Sequence, residues 1–380
     1  MATGEKTAKV KPLGKRTPWV WAVESVEGCN LSCWHCPARL IKETERQFMS
    51  RETWTEMCRV IHVATPRTRL ELAQSGEPTL HPHLLELLAT ARSLTPTTQL
   101  QVTTNGLKLM SGEVTYQELF GAGAHTVYVD MYHPVEDHIE LARASGVEWY
   151  TYDRKMASSP NHRVANTYYN DSDLKLIILQ DNPKKRHEWR KAGRLSTFLN
   201  HIDWRASMPY GLVPVREPYA RKCNLPQRYA TINWRGEYTF CCTDFLGEAC
   251  GLMGGVYDGP EGFRRYWFSR LMQSIRRRLA DKDRAGVPYC SRCNCAFSKC
   301  DWTGIWPDGS FDWWLNGDEW DQLPDRDLDH EVFADGWEKT RAANEALPSA
   351  EDEQECIDRL RKGEFILSTK DQAGGDDKEA

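Results

Sequence analysis

Residues 29–36 read Cys-Asn-Leu-Ser-Cys-Trp-His-Cys and place three thiols, Cys29, Cys33 and Cys36, on one short loop. Three thiolates at this spacing can wrap three corners of a cubane iron–sulfur cluster and leave the fourth iron open to another ligand. Zinc is the competing interpretation, but a structural zinc site needs a fourth Cys or His nearby to close its tetrahedron. His35 is available in principle, although it lies between two of the thiols. The loop therefore predicts a metal site, with a [4Fe–4S] cluster favoured over zinc.

The composition of the chain limits the classes of protein to which it can belong. Its 380 residues carry a formal net charge of −5, with 40% hydrophobic and 27% charged residues, which is ordinary for a globular protein. This mild charge gives no overall attraction to nucleic acid or membrane surfaces, and no apolar stretch approaches the roughly 20 residues that span a bilayer. Residues 1–16 are basic but lack the apolar run of an export signal. We therefore expect a cytoplasmic protein in which clustered cysteines bind metal and do not form disulfides.

Strands and helices alternate around the cysteine loop. Helices are predicted from Ser50, as N-cap, to about Ala64 and over Leu84–Leu94. Six strands are predicted at Trp19–Val26, Arg69–Ala73, Gln99–Thr103, Thr126–Met131, Glu148–Tyr152 and Leu174–Leu179. This alternation predicts parallel β-α units of the α/β class, arranged as a partial (β/α)6 barrel similar to part of a TIM barrel. Functional residues of such a fold lie at the carboxyl ends of the strands.

A second set of cysteines follows later in the chain. Cys223 and Cys241 flank a predicted hairpin, and Cys290 and Cys293 form a Cys-x2-Cys pair. Four thiolates make a closed site that suits zinc and a [4Fe–4S] cluster about equally. The predicted organisation is a basic disordered tail (1–16), a barrel (17–212), a small Cys-rich α+β domain (213–310) and a C-terminal extension with a disordered end (311–380).

The order of the motifs along the chain resembles the radical S-adenosylmethionine superfamily. In that family, Cys-x3-Cys-x2-Cys follows the first strand, as it does here. Ser75-Gly76-Glu77-Pro78, after the second predicted strand, is similar to the family's Gly-Gly-Glu-Pro motif, with Ser75 in place of the first glycine. Thr103-Thr104-Asn105-Gly106 ends the third strand, and Asp130 ends the fourth. The shared order and spacing argue against a chance match.

The resemblance implies both a cofactor and a reaction. A [4Fe–4S] cluster on the three thiols of residues 29–36 would bind S-adenosylmethionine through its open iron. The residues implied to contact S-adenosylmethionine are His35, Ser75, Gly76, Glu77, Pro78, Thr104, Asn105 and Asp130. The implied reaction is reductive cleavage to a 5′-deoxyadenosyl radical that abstracts hydrogen from a substrate, with a flavodoxin- or ferredoxin-type protein as electron donor.

The second cysteine set resembles the SPASM/twitch extension of radical enzymes. Its spacings fit the shorter, twitch version, which implies one auxiliary [4Fe–4S] cluster on the four cysteines of this set; a second cluster using Cys300 and Cys356 is the alternative. An auxiliary cluster could accept an electron from the substrate, making the reaction a net oxidation of a small molecule or peptide. Two other functions stay open. One is radical modification of a nucleic acid or nucleotide, with the basic runs 184–194 and 276–278 at the barrel mouth, and the other is a zinc protein without radical chemistry.

Overall fold

The structure of the chain is a computed structural model that describes much of the region between residues 18 and 290. The described residues are 18, 20–31, 43–72, 74, 76–130, 135–153, 175–181, 223, 225–239, 241–242, 253–269, 272, 275–276, 278–279, 282–284 and 290. The expected tail (1–16), the C-terminal extension (311–380) and the expected domain boundary at 212–213 lie outside these residues.

The described regular elements alternate along the chain. The strands are β1 (Val20–Val23), β2 (Val26–Glu27), β3 (Gln47–Phe48), β4 (Arg69–Leu72), β5 (Gln99–Thr104), β6 (Thr126–Asp130), β7 (Glu148–Asp153), β8 (Leu176–Asp181), β9 (Tyr229–Ile232) and β10 (Tyr238–Thr239). The α-helices are α1 (Arg51–Ala64), α2 (Leu84–Leu94), α3 (Leu107–Met110), α4 (Tyr116–Gly121), α5 (Val135–Ala144), α6 (Leu225–Arg228) and α7 (Gly259–Trp267). Short 3-10 turns occupy Glu43–Glu45, Pro78–Leu80 and Val256–Asp258. None of the helices in these ranges is both long and apolar enough to cross a membrane.

Eight strands form one sheet in the order β10-β9-β1-β4-β5-β6-β8-β7. All of its neighbouring pairs are parallel except β9 and β10, which form a hairpin. The prediction of an α/β fold built on parallel strands is therefore confirmed. Within the described residues the sheet is open, with β10 and β7 at its edges.

Three features of the sheet differ from the predicted pattern. The predicted first strand breaks after Val23, and Val26 pairs instead with Phe48 in the small β2–β3 sheet. Strand β8 inserts between β6 and β7, so β7 lies at the edge. The hairpin around Gly236 continues the main sheet, because β9 pairs in parallel with β1. Local periodicity identifies strands but does not determine which strands pair across long connections.

Helix α1 shows how the sequence fixes the layer on one face of the sheet. Ser50 is its N-cap as predicted, and its hydroxyl accepts a hydrogen bond from Thr53 N at 3.0 Å. Trp54, Met57 and Ile61 recur at helical spacing and are fully buried. The helix packs against α2 and α7, so the apolar sides of the strands are covered by helices.

The buried tryptophans of this layer make ring contacts with their neighbours and donate hydrogen bonds from their indole N–H groups. The ring centroids of Trp21 and Phe263 lie 4.5 Å apart with the planes tilted by 31°, and Trp21 Nε1 donates to Thr65 Oγ1 at 2.9 Å. Trp54 donates to the carbonyl of Leu87 at 2.7 Å. Each large side chain contributes roughly 1.5–3 kcal/mol by burial, and each ring N–H keeps a partner. This packing holds the carboxyl ends of β1, β4 and β5 at one edge of the sheet, where the candidate site lies.

Candidate functional site

Cys29 lies just after β2, in a loop beyond the carboxyl end of β1. Its sulfur is partly exposed and accepts hydrogen bonds from Leu31 N at 3.3 Å and from Asn105 Nδ2 at 3.4 Å. The same Asn105 amide donates to Asn30 Oδ1 at 2.8 Å, and Arg46 donates to the carbonyl of Cys29 at 3.3 Å. N–H groups directed at a sulfur stabilise the negative charge of a thiolate. The thiol is therefore held in a geometry that suits a metal ligand.

Glu77 joins the ends of two neighbouring strands. It lies in the turn after β4 with only 3% of its surface exposed. Its Oε1 accepts from Thr79 N at 3.0 Å, from Thr79 Oγ1 at 2.6 Å and from Thr104 Oγ1 at 2.7 Å. Its Oε2 accepts from Asn105 N at 2.7 Å. Burial raises the pKa of Glu77 above its ordinary value, while these four hydrogen bonds act in the opposite direction.

Gly76 brings the same turn against β2. A Cβ built at Gly76 would lie 1.6 Å from the carbonyl oxygen of Val26, so any side chain here would collide with backbone. The next N–H, of Glu77, donates to the carbonyl of Gly28 at 3.0 Å. The glycine thus allows the turn to approach the backbone that leads into Cys29.

The loop after β5 is fixed by its own side chains. Asn105 Oδ1 accepts from Leu107 N at 3.0 Å, and Thr104 Oγ1 accepts from Gly106 N at 3.1 Å. Gly106 has φ 78°, in the left-handed region that glycine tolerates. Because Asn105 also reaches Cys29, the loops after β2, β4 and β5 form one hydrogen-bonded unit.

Of the other residues predicted for this site, two lie in described segments and four do not. Pro78 is buried as the first residue of its 3-10 turn, and Asp130 is partly buried at the end of β6, at the same edge of the sheet. Cys33, His35, Cys36 and Ser75 lie outside the described residues.

The cysteines of the second set lie in the interior. Cys223, Cys241 and Cys290 are each at most 8% exposed and belong to the main apolar core, and Cys293 lies outside the described residues. Cys223 N donates to the carbonyl of Leu279 at 3.2 Å. Cys241 follows β10, whose Thr239 pairs with Thr231 of β9. Among the residues that the structure describes, no group of three or more His, Cys, Asp or Glu side chains is arranged to hold a metal ion.

Two contacts of the site were not anticipated from the sequence. The bond from Asn105 to the Cys29 sulfur joins residues that no local pattern relates. Arg46, which also pairs with Glu43 at 3.5 Å, reaches Cys29 from a stretch that carries no recognisable motif. For Glu77 the sequence did give a signal, through the Gly-Glu-Pro triplet, although not the network that its carboxylate makes.

The fold and the site together define a class: a parallel α/β protein with a cysteine-bearing loop, a glycine–glutamate turn and an asparagine loop at the carboxyl edge of its strands. Comparison with family models agrees with this class. The model of the radical SAM superfamily matches residues 23–158, and the model of an iron–sulfur cluster-binding domain, SPASM, matches residues 223–294. The chain therefore contains a radical SAM domain and a SPASM iron–sulfur domain, and it is an enzyme of the radical SAM kind. Its radical SAM domain implies a [4Fe–4S] cluster and S-adenosylmethionine, and its SPASM domain implies auxiliary iron–sulfur clusters.

Solved structures of radical SAM enzymes are similar to the chain at low sequence identity. BtrN in complex with AdoMet and 2-DOIA is 19% identical, with 74% of this chain and 94% of that chain covered and a TM-score of 0.48. Streptococcus suis SuiB bound to S-adenosylmethionine is 12% identical, with 69% and 68% covered and a TM-score of 0.36. Native anSMEcpe with bound AdoMet is 14% identical, with 87% and 100% covered and a TM-score of 0.35. Similarities at this level say nothing of the substrate. A comparison with curated protein sequences gives no match.

Proposed function

We propose that the chain cleaves S-adenosylmethionine reductively and oxidises a small-molecule or peptide substrate, with a flavodoxin- or ferredoxin-type protein as electron donor. The observation that carries the proposal is the hydrogen-bonded unit of Cys29, Asn105 and Glu77. These residues come from three separate loops, and the distances of 2.7 and 3.4 Å that join them hold the thiol at the edge where the strands end.

The first cluster would be held by Cys29, Cys33 and Cys36. The described residues fit this group at Cys29, which is partly exposed and whose sulfur accepts hydrogen bonds from Leu31 N and Asn105 Nδ2. When bound by these three thiolates, the cluster would supply the electron for reductive cleavage of S-adenosylmethionine.

The residues proposed to hold S-adenosylmethionine are His35, Ser75, Gly76, Glu77, Pro78, Thr104, Asn105 and Asp130. Among them, Glu77 is a positioning residue. Its carboxylate is saturated by hydrogen bonds from Thr79, Thr104 and Asn105, so it orients the backbone of both loops. The backbone of the turn would then receive the polar end of the cofactor in a fixed geometry, which is what a reaction dependent on positioning requires.

An auxiliary [4Fe–4S] cluster is proposed on Cys223, Cys241, Cys290 and Cys293. The first three are buried in an apolar core, where burying the charge of a thiolate is costly and metal ligation would offset that cost. A closed site of this kind exchanges electrons and has no open position for a substrate, which supports a net oxidation. One such cluster accounts for the four cysteines, and a second would need others from outside the described residues.

Anaerobic reconstitution tests the proposal. We expect about eight iron atoms per chain, because two [4Fe–4S] clusters each hold four. With S-adenosylmethionine and dithionite, the protein should form 5′-deoxyadenosine. Cys29→Ala should abolish this product and remove about half of the iron, whereas Cys223→Ala should remove the other half. A colourless protein that binds zinc in place of iron would contradict the proposal.

A further inference from the structure

Arg46 lies beside the backbone of the loop that carries Cys29. It directly precedes β3, which pairs antiparallel with β2. Continuing the register of this pair by one residue brings Arg46 opposite Gly28, immediately before Cys29. The Nη2 of Arg46 donates to the carbonyl of Cys29 at 3.3 Å. The strand pair therefore places a guanidinium against the residue proposed to ligate the first cluster.

The other end of β3 is held by buried hydrogen bonds. Met49 N donates to the carbonyl of Ser25 at 2.9 Å, and the carbonyl of Met49 lies 2.9 Å from Nε2 of His81. The Nδ1 of His81 accepts from His83 N at 3.1 Å, so its Nε2 carries the proton that is donated to Met49. Because β3 is fixed at this end, Arg46 keeps its place relative to the loop.

The charge of Arg46 is only partly compensated within the described residues. Its side chain is 10% exposed, whereas Glu43, its carboxylate partner at 3.5 Å, is 85% exposed. An ion pair with so exposed a partner is weakened by solvent. In the part of the chain that the structure describes, Arg46 Nε is closed to solvent and has no hydrogen-bond partner. A largely buried positive charge therefore remains next to the loop.

This charge is near enough to act on a cluster at Cys29. The carbonyl oxygen and the sulfur of one cysteine are separated by about 5 Å or less. With the hydrogen bond of 3.3 Å to that oxygen, Arg46 Nη2 lies within about 8 Å of the Cys29 sulfur. Arginine stays protonated in proteins, so the charge is permanent.

One-electron reduction of the first cluster by the donor protein adds a negative charge beside three thiolates, and a fixed cation nearby favours the reduced state. We infer that Arg46 is a positioning residue that acts through this cluster: its charge raises the reduction potential and so eases electron transfer from the donor. The inference rests on the proposed function and assigns a role in it to a residue that no sequence motif identified.

The size of the effect follows from the distance. A unit charge about 8 Å away, at an effective dielectric constant of about 20, changes an equilibrium constant by about thirtyfold. Glu43 offsets part of this. We therefore expect removal of the charge to lower the ratio of reduced to oxidised cluster, at a fixed solution potential, by about tenfold, which is about 59 mV for one electron.

Redox titration of the reconstituted full-length protein, followed by electron paramagnetic resonance, measures this ratio. The first cluster is recognised afterwards as the one whose signal changes when S-adenosylmethionine is added, because it has the open iron. Arg46→Gln removes the charge and keeps an N–H donor for the Cys29 carbonyl, whereas Arg46→Lys keeps the charge. Arg59→Gln is the matched control, since Arg59 pairs with Glu56 on α1 and is 61% exposed.

We expect the tenfold shift in Arg46→Gln, and potentials within about threefold of the wild type in Arg46→Lys and Arg59→Gln. A shift below about threefold in Arg46→Gln, even with weaker binding of S-adenosylmethionine, overturns the inference, as do equal shifts in Arg46→Gln and Arg46→Lys.

Iron content decides the case in which Arg46→Gln does not load the first cluster. Full iron in Arg46→Lys then supports the role of the charge, and loss of iron from both variants overturns it in favour of a purely structural contact. Failure of the proposed function is distinguishable, because the wild type itself would then show no cluster signal that responds to S-adenosylmethionine.

Discussion

Replacing Gly76 by alanine places one methyl group where the structure has no room for it. The added Cβ would lie 1.6 Å from the carbonyl oxygen of Val26, 2.7 Å from its carbonyl carbon and 3.0 Å from the carbonyl oxygen of Gly28. All three atoms belong to the backbone, so no side chain can rotate away. The turn and β2 must separate by about 1.5 Å or more to reach an ordinary contact.

The cost of this separation follows from the bonds that cross it. Overpacking of this kind costs about 1–3 kcal/mol. The hydrogen bond from Glu77 N to Gly28 and the bond from Asn105 N to Glu77 Oε2 would also weaken, each by about 1 kcal/mol. We therefore expect a loss of about 3–5 kcal/mol. With an unfolding entropy of roughly 2.1 cal/mol/K for each of the 380 residues, this corresponds to a fall in Tm of about 4–6 °C.

Three measurements on Gly76→Ala read out this loss: the Tm, the iron content after anaerobic reconstitution, and the affinity for S-adenosylmethionine by equilibrium dialysis. Gly121→Ala is the matched control. Gly121 ends α4, and a Cβ there meets nothing within 4 Å, so alanine should leave both cofactors unaffected and stabilise the helix by up to about 1 kcal/mol. If Gly76→Ala kept the Tm, iron and affinity of the wild type, the close approach of the turn to β2 would be wrong.

Three further predictions concern the carboxylate network and the cysteines. Glu77→Gln should lower the free energy of unfolding by about 1–3 kcal/mol, because either orientation of the amide leaves one backbone N–H of the loops without an acceptor; thermal unfolding beside the exposed control Glu113→Gln checks this, and equal effects would contradict it. Cys58 should resist iodoacetamide at pH 8 in the native protein, since burial raises the pKa of its thiol to about 12. Mass spectrometry measures the rate of labelling. If Cys58 in the native protein were labelled as fast as in the unfolded chain, this burial would be wrong. Cys241→Ala should lose about four iron atoms per chain and still form 5′-deoxyadenosine; unchanged iron would exclude Cys241 as a ligand.

The sequence predicted the local elements well where periodicity and capping agree. Ser50 as N-cap and a helix to Ala64 are both observed, as is a helix over Leu84–Leu94. In α1 the apolar spacing and the Ser50 cap specify the same structure, whereas α2 follows from its apolar spacing, because its N-cap residue His83 makes no side-chain capping bond.

The arrangement of strands was less predictable. Strand β8 pairs with β6 after a connection that separates them by more than forty residues, and β9 joins the sheet beside β1. The two-residue pairing of β2 with β3 breaks what looks in the sequence like one strand from Trp19 to Val26. Each of these pairings depends on distant partners whose identity is not encoded in local alternation.

The residues of the candidate site were also predictable from the sequence only in part. The sequence motifs identified Gly76, Glu77 and Asn105 as site residues, because the residue types and their order follow a family pattern. The contact of Asn105 with Cys29, 76 residues away, and the contact of Arg46 with the Cys29 carbonyl came only from the fold. Functional contacts that join different strands are set by register, which the sequence alone does not give.

Formation of 5′-deoxyadenosine is the central claim of the proposed function. The decisive measurement incubates the anaerobically reconstituted protein with S-adenosylmethionine and dithionite and quantifies the nucleoside by mass spectrometry. We predict that the wild type forms 5′-deoxyadenosine and that Cys29→Ala, tested at the same protein concentration, forms none. Absence of the product from a wild-type protein with its full complement of iron, or equal amounts from Cys29→Ala, would contradict the radical mechanism.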